Sequence, residues 1–91
     1  MNGALESLTR GLAFELVPVR MNAVSPGTID TPIRSSMPEA ARRDMLVKAA
    51  AALPVGRVGE GEDIARQILT LMTVGFATGS VVYIEGGALI V

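Results

Sequence analysis

Apolar residues recur every three or four positions in two long stretches of the chain. In the first, Gly3–Val17, they are Leu5, Leu8, Leu12 and Leu16. In the second, Glu62–Val74, they are Ile64, Ile68, Leu71 and Met72, and two carboxylates lie in the first turn, where the helix dipole favours them. This spacing places the apolar side chains on one face of a helix. We therefore predict an amphipathic helix in each stretch.

Two short runs have the composition of buried strands. Arg20–Ser25 is bounded by prolines, and Ser80–Glu85 is rich in β-branched residues and stops at a pair of glycines. About 55 mostly helical residues separate the two runs, which excludes a hairpin. We predict that they are neighbouring parallel strands joined by a right-handed crossover.

The intervening segment completes the pattern of an α/β protein. Between Pro32 and Ala52 we predict one or two helices, the main one over Glu39–Ala52, where alanines give a high helix propensity. Leu53–Gly61 contains one proline and three glycines and must be a connection. The order helix, strand, helix, helix, strand predicts an α/β fold of two parallel strands with packed helices, in one domain over residues 1–91.

Composition narrows the chemistry that the chain could perform. The net charge is −1, and the basic residues are scattered, which argues against nucleic acid and anionic membranes as partners. The chain has no cysteine and no histidine, so thiol catalysis and the commonest metal ligands are excluded, and we name no metal site. No apolar run reaches the roughly 18 residues that span a bilayer. The first residues do not resemble a signal peptide, and we expect a cytoplasmic protein.

The loop Ser25–Thr28 follows the first predicted strand. Ligands of open parallel sheets bind beyond the carboxyl ends of strands, so this position favours a binding role. Gly27 would let the backbone approach a flat ring, and Pro26 fixes one backbone angle beside it. On physical grounds alone, a Pro-Gly pair after a strand is more often only a turn.

Five ordered motifs resemble the C-terminal part of the short-chain dehydrogenases/reductases, a family of Rossmann-fold, NAD(P)-dependent oxidoreductases. The motifs are Asn2-Gly3-Ala4-Leu5 through Leu16, Arg20 through Gly27, Pro54-Val55-Gly56-Arg57-Val58-Gly59, Glu62-Asp63-Ile64-Ala65, and Thr78-Gly79-Ser80 through Gly87. The resemblance implies that the chain is the C-terminal part of a Rossmann-like, doubly wound parallel sheet. It also implies that Arg57 is structural and that Asp63 helps to begin the last long helix.

The resemblance further implies a cofactor site. The family's Pro-Gly-x-x-x-Thr segment lines the nicotinamide end of NAD or NADP, and here it reads Pro26-Gly27-Thr28-Ile29-Asp30-Thr31. By similarity, the backbone of Ile29 would bond the carboxamide, and the Thr31 hydroxyl would contact the carboxamide or phosphate region. We take Pro26, Gly27, Ile29 and Thr31 as cofactor-binding residues. Asp30 is not a fixed element of the family, and we interpret it as a cap or a solvated carboxylate.

The catalytic elements of the family are not found in this chain. Its Gly-rich fingerprint, its Asn-Ala-Gly motif, its catalytic Ser and its Tyr-x-x-x-Lys pair would all lie upstream, and in that register Asn2 occupies the Lys position. Tyr83 and Lys48 are the only residues of their types, and their order and spacing do not fit the pair. We therefore name no catalytic residue and expect at best weak dinucleotide binding by the chain alone.

Two hypotheses of different classes follow. In the first, the chain is the C-terminal portion of an oxidoreductase that acts on a small carbonyl or alcohol, and it carries the nicotinamide-side loop and the substrate region. In the second, it is a non-enzymatic interaction module that pairs with itself or with a full-length relative. The family's last helix and last strand commonly form a subunit interface, and this similarity implies a homo-oligomer under either hypothesis.

Overall fold

A computed structural model of the chain describes residues 2–31 and 36–91. The regular elements are α1 Asn2–Glu15, β1 Ala23–Pro26, β2 Ile29–Asp30, α2 Glu39–Ala52, β3 Gly59–Glu60, α3 Gly61–Thr73, β4 Val81–Ile84 and a 3₁₀ helix Ala88–Ile90. The predicted α/β class is confirmed, and α2 has the predicted bounds. Part of the segment predicted to begin at Pro32 lies outside the described residues.

Strands β1 and β4 form a parallel pair, as predicted. Ala23 lies opposite Val81, and Pro26 lies opposite Ile84. The N–H of Gly27 donates to the carbonyl of Ile84 at 3.0 Å and extends the ladder past the carboxyl end of β1. The loop that follows β1 is thereby held beside the end of β4.

Helices α1 and α3 lie on opposite faces of this sheet. Val24 of β1 shares a cavity wall with Leu71 of α3. On the other face, the Tyr83 hydroxyl of β4 donates to a Glu6 carboxylate oxygen of α1 at 2.8 Å. Val24 and Tyr83 are offset by one position in the strand register, and successive side chains of a strand point to opposite faces. The arrangement is the doubly wound one that the sequence predicts.

Strand β1 begins at Ala23 and not at Arg20, because hydrogen bonds that involve side chains take the place of backbone pairing before Ala23. The Asn22 amide donates to the carbonyl of Ala77 at 2.9 Å, and its oxygen accepts from the N–H of Ser80 at 3.1 Å. The main-chain N–H of Met21 donates to the Thr78 hydroxyl at 3.2 Å. A polar residue that is unusual in a buried strand therefore joins two chain segments.

Arg20 binds the carboxyl end of α3. Its guanidinium donates to the carbonyl oxygens of Leu71, Met72 and Ala77 at 2.8, 2.9 and 3.0 Å. The last carbonyls of a helix have no partner inside the helix, and a cation there is favoured by the helix dipole. This contact fixes α3 to the segment that leads into β1.

A second parallel pair, β2 with β3, was not predicted. Ile29 lies opposite Gly59 and Asp30 opposite Glu60, and the N–H of Gly59 donates to the carbonyl of Thr28 at 2.9 Å. A Cβ at position 59 would lie 2.5 Å from Cδ1 of Ile29, so a larger residue there would require the Ile29 side chain to move. The pair ties the loop after β1 to the amino end of α3.

The described residues bury very little. Only Ala13 and Thr9 are buried, and no side chain is fully enclosed. The accessible surface is 6302 Å², compared with about 5,000 Å² for a compact monomer of this mass. The radius of gyration is 15.6 Å, compared with about 12 Å for a compact domain of this length. Much of the apolar surface is therefore left uncovered.

No helix within residues 2–31 and 36–91 combines the length and the apolar character needed to cross a membrane.

Candidate functional site

The four residues predicted to bind a cofactor line one groove. Pro26, Gly27, Ile29 and Thr31 form one wall of a groove of about 520 Å³ at the carboxyl end of β1. Its other wall is formed by the first turns of α3, through Gly61, Ile64, Ala65 and Ile68. We call this the strand-end groove. Its walls are mostly apolar, and the Thr31 hydroxyl is the polar side-chain group among them.

Gly27 is held at the closest approach of the two strand ends. A Cβ at position 27 would lie 2.7 Å from Cβ of Glu85 and 2.8 Å from its Cα, distances that no side chain tolerates. Sequence reasoning proposed that this glycine makes room for a ring. The structure provides a second reason for the glycine, which is the packing of the loop against the end of β4.

Ile29 offers backbone groups on the side of the strand away from β3. The Gly59 N–H bonds the Thr28 carbonyl while Ile29 itself lies opposite Gly59. In a parallel ladder this register directs the N–H and C=O of Ile29 to the other edge, since successive peptide groups point to alternate sides. We infer that these two groups are positioned to bind a ligand at that edge.

Asp30 forms an ion pair, and the interpretation of it as a cap or solvated carboxylate is wrong. Its two carboxylate oxygens accept from Nη2 of Arg42 at 2.8 and 2.7 Å. Both side chains are half-buried. Arg42 lies twelve residues further along the chain, in α2, and no local pattern in the sequence connects the two. The carboxylate is therefore directed away from the strand-end groove.

Asp63 organises the amino end of α3, as its resemblance to the family implies. Its carboxylate accepts from Nη1 and Nη2 of Arg57 at 2.9 and 3.0 Å and from the N–H of Glu60 at 2.8 Å. These bonds lower the pKa of Asp63 to about 2, chiefly through the Arg57 hydrogen bond, and they raise the pKa of Arg57. The pair fixes the connection between β3 and the wall of the strand-end groove, which is a structural role.

The glycine pair after β4 closes a turn over the connection before β3. Gly86 and Gly87 have φ angles of 66° and 94°, which favour glycine. A Cβ at position 87 would lie 2.6 Å from Cγ of Pro54, and the Val55 N–H donates to the carbonyl of Gly86 at 3.2 Å. These contacts hold the connection against the end of the sheet.

The groove combines mostly apolar walls with a small number of polar groups. Apolar walls can cover a flat ring, while the Thr31 hydroxyl and the Ile29 backbone can bond an amide. Among residues 2–31 and 36–91, no three His, Cys, Asp or Glu side chains come together as a metal site would require.

A family model described as enoyl-(acyl carrier protein) reductase matches residues 1–88. The chain belongs to the short-chain dehydrogenase/reductase family. This family consists of NAD(P)-dependent oxidoreductases with a Rossmann fold.

Curated members of the short-chain dehydrogenase/reductase family match over most of this chain. The short-chain dehydrogenase/reductase ATR9 of Stachybotrys chlorohalonatus is 41% identical over 86 residues, which cover 94% of this chain and 34% of that protein. The 3-oxoacyl-[acyl-carrier-protein] reductase FabG of Thermotoga maritima is 40% identical over 87 residues, 91% of this chain and 34% of that protein. The chain thus spans about a third of the length of these relatives.

Solved structures of short-chain dehydrogenases share the fold. A small-chain dehydrogenase in complex with NADPH superimposes with a TM-score of 0.89 at 41% identity, covering 99% of this chain and 41% of that one. The MalC reductase/Diels-Alderase from Malbranchea aurantiaca has a TM-score of 0.86 at 34% identity, covering 98% of this chain and 34% of that one. The Rossmann-like assignment made from the sequence is confirmed.

Proposed function

We propose that residues 1–91 are the C-terminal segment of a Rossmann-like oxidoreductase domain and supply its nicotinamide-side loop and substrate region. The observation that carries this proposal is the convergence of Pro26, Gly27, Ile29 and Thr31 on the strand-end groove. Two of these residues also have a backbone reason for their position: Gly27 contacts Glu85, and Ile29 pairs with Gly59.

Each residue would have a distinct part in binding NAD or NADP. Pro26 and Gly27 would lie against the nicotinamide ring, because Gly27 has no side chain and the Pro26 side chain is a compact ring closed onto its own backbone nitrogen. The Ile29 backbone and the Thr31 hydroxyl would bond the carboxamide, or in the case of Thr31 the neighbouring phosphate. When bound, the cofactor supplies or accepts a hydride. The residues of this chain would orient it.

The chain by itself is not expected to turn over a substrate. Proton transfer in the family requires a Tyr-Lys pair, and the Tyr and Lys of this chain are engaged elsewhere. Tyr83 donates to Glu6, and Lys48 pairs with Asp44 inside α2 at 3.1 Å. Neither residue lines the strand-end groove. A complete parent would act on a small carbonyl or alcohol with the missing elements supplied upstream.

The proposal is tested by grafting. Residues 3–91 would replace the matching third of Thermotoga maritima FabG, so that the host provides the Tyr-Lys pair and the Gly-rich fingerprint. We expect NADPH-dependent turnover from the chimera. Thr31→Val in the chimera should raise the KM for NADPH about tenfold, as expected for the loss of one bond of about 1.4 kcal/mol.

The matched control is Thr73→Val, at the far end of α3, where the hydroxyl donates to the carbonyl oxygens of Leu69 at 3.0 Å and Thr70 at 3.1 Å in its own helix. It should leave the KM for NADPH unchanged. A folded chimera without turnover, or equal effects of the two threonine variants, would contradict a cofactor role for the groove.

The uncovered apolar surface favours a second candidate, an interaction module that pairs with itself or with a full-length relative. Leu89, Ile90 and Val91 after β4 are exposed, as are Leu69 and Met72 of α3. We propose the last helix and last strand as the homo-oligomer surface. Analytical ultracentrifugation separates the candidates: a tight homo-oligomer combined with an inactive, well-folded chimera favours the module.

A further inference from the structure

The ion pair between Arg42 and Asp30 connects α2 to the loop 28–31, which follows β1. The other ion pairs of α2 stay inside the helix: Glu39 with Arg42 at 3.9 Å, Glu39 with Arg43 at 3.7 Å, and Asp44 with Lys48 at 3.1 Å. Among the described residues, only the contact with Asp30 leaves α2 as an ion pair. It is also the shortest and least exposed of them, with 28% and 29% of the two side chains accessible.

Apolar packing holds α2 only loosely. None of its side chains is buried. Its inner face, through Leu46 and Ala50, borders a cavity of about 350 Å³ that separates it from the turn around Val58. Because loose packing contributes little, the half-buried ion pair should have a large share in fixing how α2 lies against β2.

Asp30 lies between the two residues assigned to the nicotinamide carboxamide. Ile29 and Thr31 line the strand-end groove, while Asp30 borders the cavity beneath α2, as expected from the alternation of side chains along a strand. The Gly59 N–H holds the other side of this segment through the Thr28 carbonyl. A restraint on the Asp30 carboxylate therefore acts on the backbone that joins Ile29 to Thr31.

We propose that Arg42 is a positioning residue: its contact with Asp30 fixes the conformation of the loop 28–31 that faces the cofactor and couples that loop to α2. This inference rests on the proposed cofactor function of the strand-end groove. It adds a residue that touches neither cofactor nor groove. Movement of α2 would then be transmitted to the groups proposed to bind the carboxamide.

The test is a double-mutant cycle on the 91-residue chain, read by amide hydrogen exchange without ligand. Arg42→Gln and Asp30→Asn should each speed exchange of the Gly59 amide about threefold to tenfold, as expected when one local restraint is lost. The double variant should be no faster than either single one. Arg42→Lys should restore slow exchange, because a single nitrogen, Nη2, makes both contacts.

Arg43→Gln is the matched control, since Arg43 is the next residue of α2 and its carboxylate partner is Glu39 in the same helix. It should leave the Gly59 amide unchanged. Equal effects of Arg42→Gln and Arg43→Gln, additive effects in the cycle, or no rescue by lysine would overturn the positioning role and reduce the contact to helix stability.

Millimolar NADPH, added to the same samples and followed by amide chemical shifts, separates this inference from the proposed function. We expect shifts at residues 27–31 and an about threefold weaker apparent affinity in Arg42→Gln, recovered in Arg42→Lys. Shifts in all variants with unchanged exchange and affinity would overturn the positioning role alone. Responsive exchange with no NADPH-induced shift in any variant would contradict the cofactor function of the groove and would leave the restraint of loop 28–31 by Arg42 in place.

Discussion

The carboxyl end of the sheet and the outer faces of α1 and α3 are built in opposite ways. At the sheet end, glycine backbones lie so close to neighbouring residues that a Cβ would not fit. The Asp63 carboxylate nearby accepts three hydrogen bonds. On the outer faces, large apolar side chains have no cover: Phe14 is 82% exposed, and Phe76, just beyond α3, is 100% exposed.

The contacts at the sheet end determine the local geometry of the groove, whereas the exposed helix faces determine how stable the whole chain is. The sheet end is specified by contacts among residues of this chain, so the strand-end groove can be described from the chain alone. The helix faces leave apolar area in water, at a cost of roughly 25 cal/mol per Å², and they are stabilised only when another surface covers them. The backbone contacts that shape the groove thus differ in kind from the exposed apolar side chains of the helix faces.

The largest effect is expected on the uncovered faces. Leu69→Glu with Met72→Glu places two charges on the exposed side of α3 and should weaken self-association of the chain about 100-fold or more. Sedimentation velocity across a concentration series measures this. Val47→Glu, an equally exposed apolar-to-acid change on α2, is the control. If the association constant of the α3 variant equals that of the wild type, the contact lies on another face of the chain.

At the sheet end, Gly27→Ala should destabilise the fold by about 2–3 kcal/mol, because its Cβ overlaps the backbone of Glu85 and must separate β1 from β4. Urea unfolding followed by circular dichroism gives the free energy. Gly11→Ala, in α1, where an added Cβ would meet nothing within 4 Å beyond the backbone of its own helix, should be neutral or stabilising by up to about 1 kcal/mol. Similar losses from both substitutions would show that the sheet end is not the tighter region.

Substitution of Arg20 tests whether specific contacts like those at the sheet end also stabilise the carboxyl end of α3. Arg20→Met keeps much of the side-chain volume but removes the donors to three carbonyls, and it should cost about 1–2 kcal/mol in the same assay. Arg66→Met, which loses only an exposed bond to Glu62 at 2.8 Å, should cost at most about 0.5 kcal/mol. If Arg20→Met behaves like Arg66→Met, the specific contacts stop at the carboxyl end of the sheet.

The smallest effect is a pH dependence at the amino end of α3. The pKa of Asp63 falls from 3.8 to about 2 in the folded chain, so its stabilisation is fully present above pH 4 and is lost as the pH falls towards 2. The urea midpoints of the wild type and Asp63→Asn should differ at pH 6 and converge in this window. Arg57→Gln should shift the wild-type inflection to higher pH. Parallel pH profiles of all three proteins would exclude the Arg57 bond as the cause.

The sequence predicted the helices and the parallel pairing of β1 with β4, but it did not predict the β2–β3 pair or the side-chain contacts between distant residues. The bounds of α2 were predicted correctly from its high alanine content. Those of α1 and α3 were predicted to within two residues from the regular spacing of their apolar residues. The pair of β2 and β3 was missed, since two-residue strands among glycines carry no alternation. A binding role for the loop after β1 was predicted from its place at a strand end, whereas Ile29 and Thr31 were identified only through a family motif.

The role of Asp30 could not be predicted, because its partner is chosen by how α2 folds back. Twelve residues separate it from Arg42, and the adjacent Arg43 was an equally good candidate in the sequence. In the same way, the amide of Asn22 reaches Ala77, which lies fifty-five positions away. Such contacts follow from tertiary structure and not from local propensity.

Tyr83 of β4, whose hydroxyl contacts α1, gives the protein a built-in optical reporter. The chain has no tryptophan and one tyrosine, so absorbance and emission in the aromatic range arise mainly from Tyr83. Its hydroxyl donates to Glu6 across the junction of α1 and β4, and that bond raises the pKa of the phenol. Ionisation followed by absorbance would therefore show, without any label, when α1 undocks from the sheet.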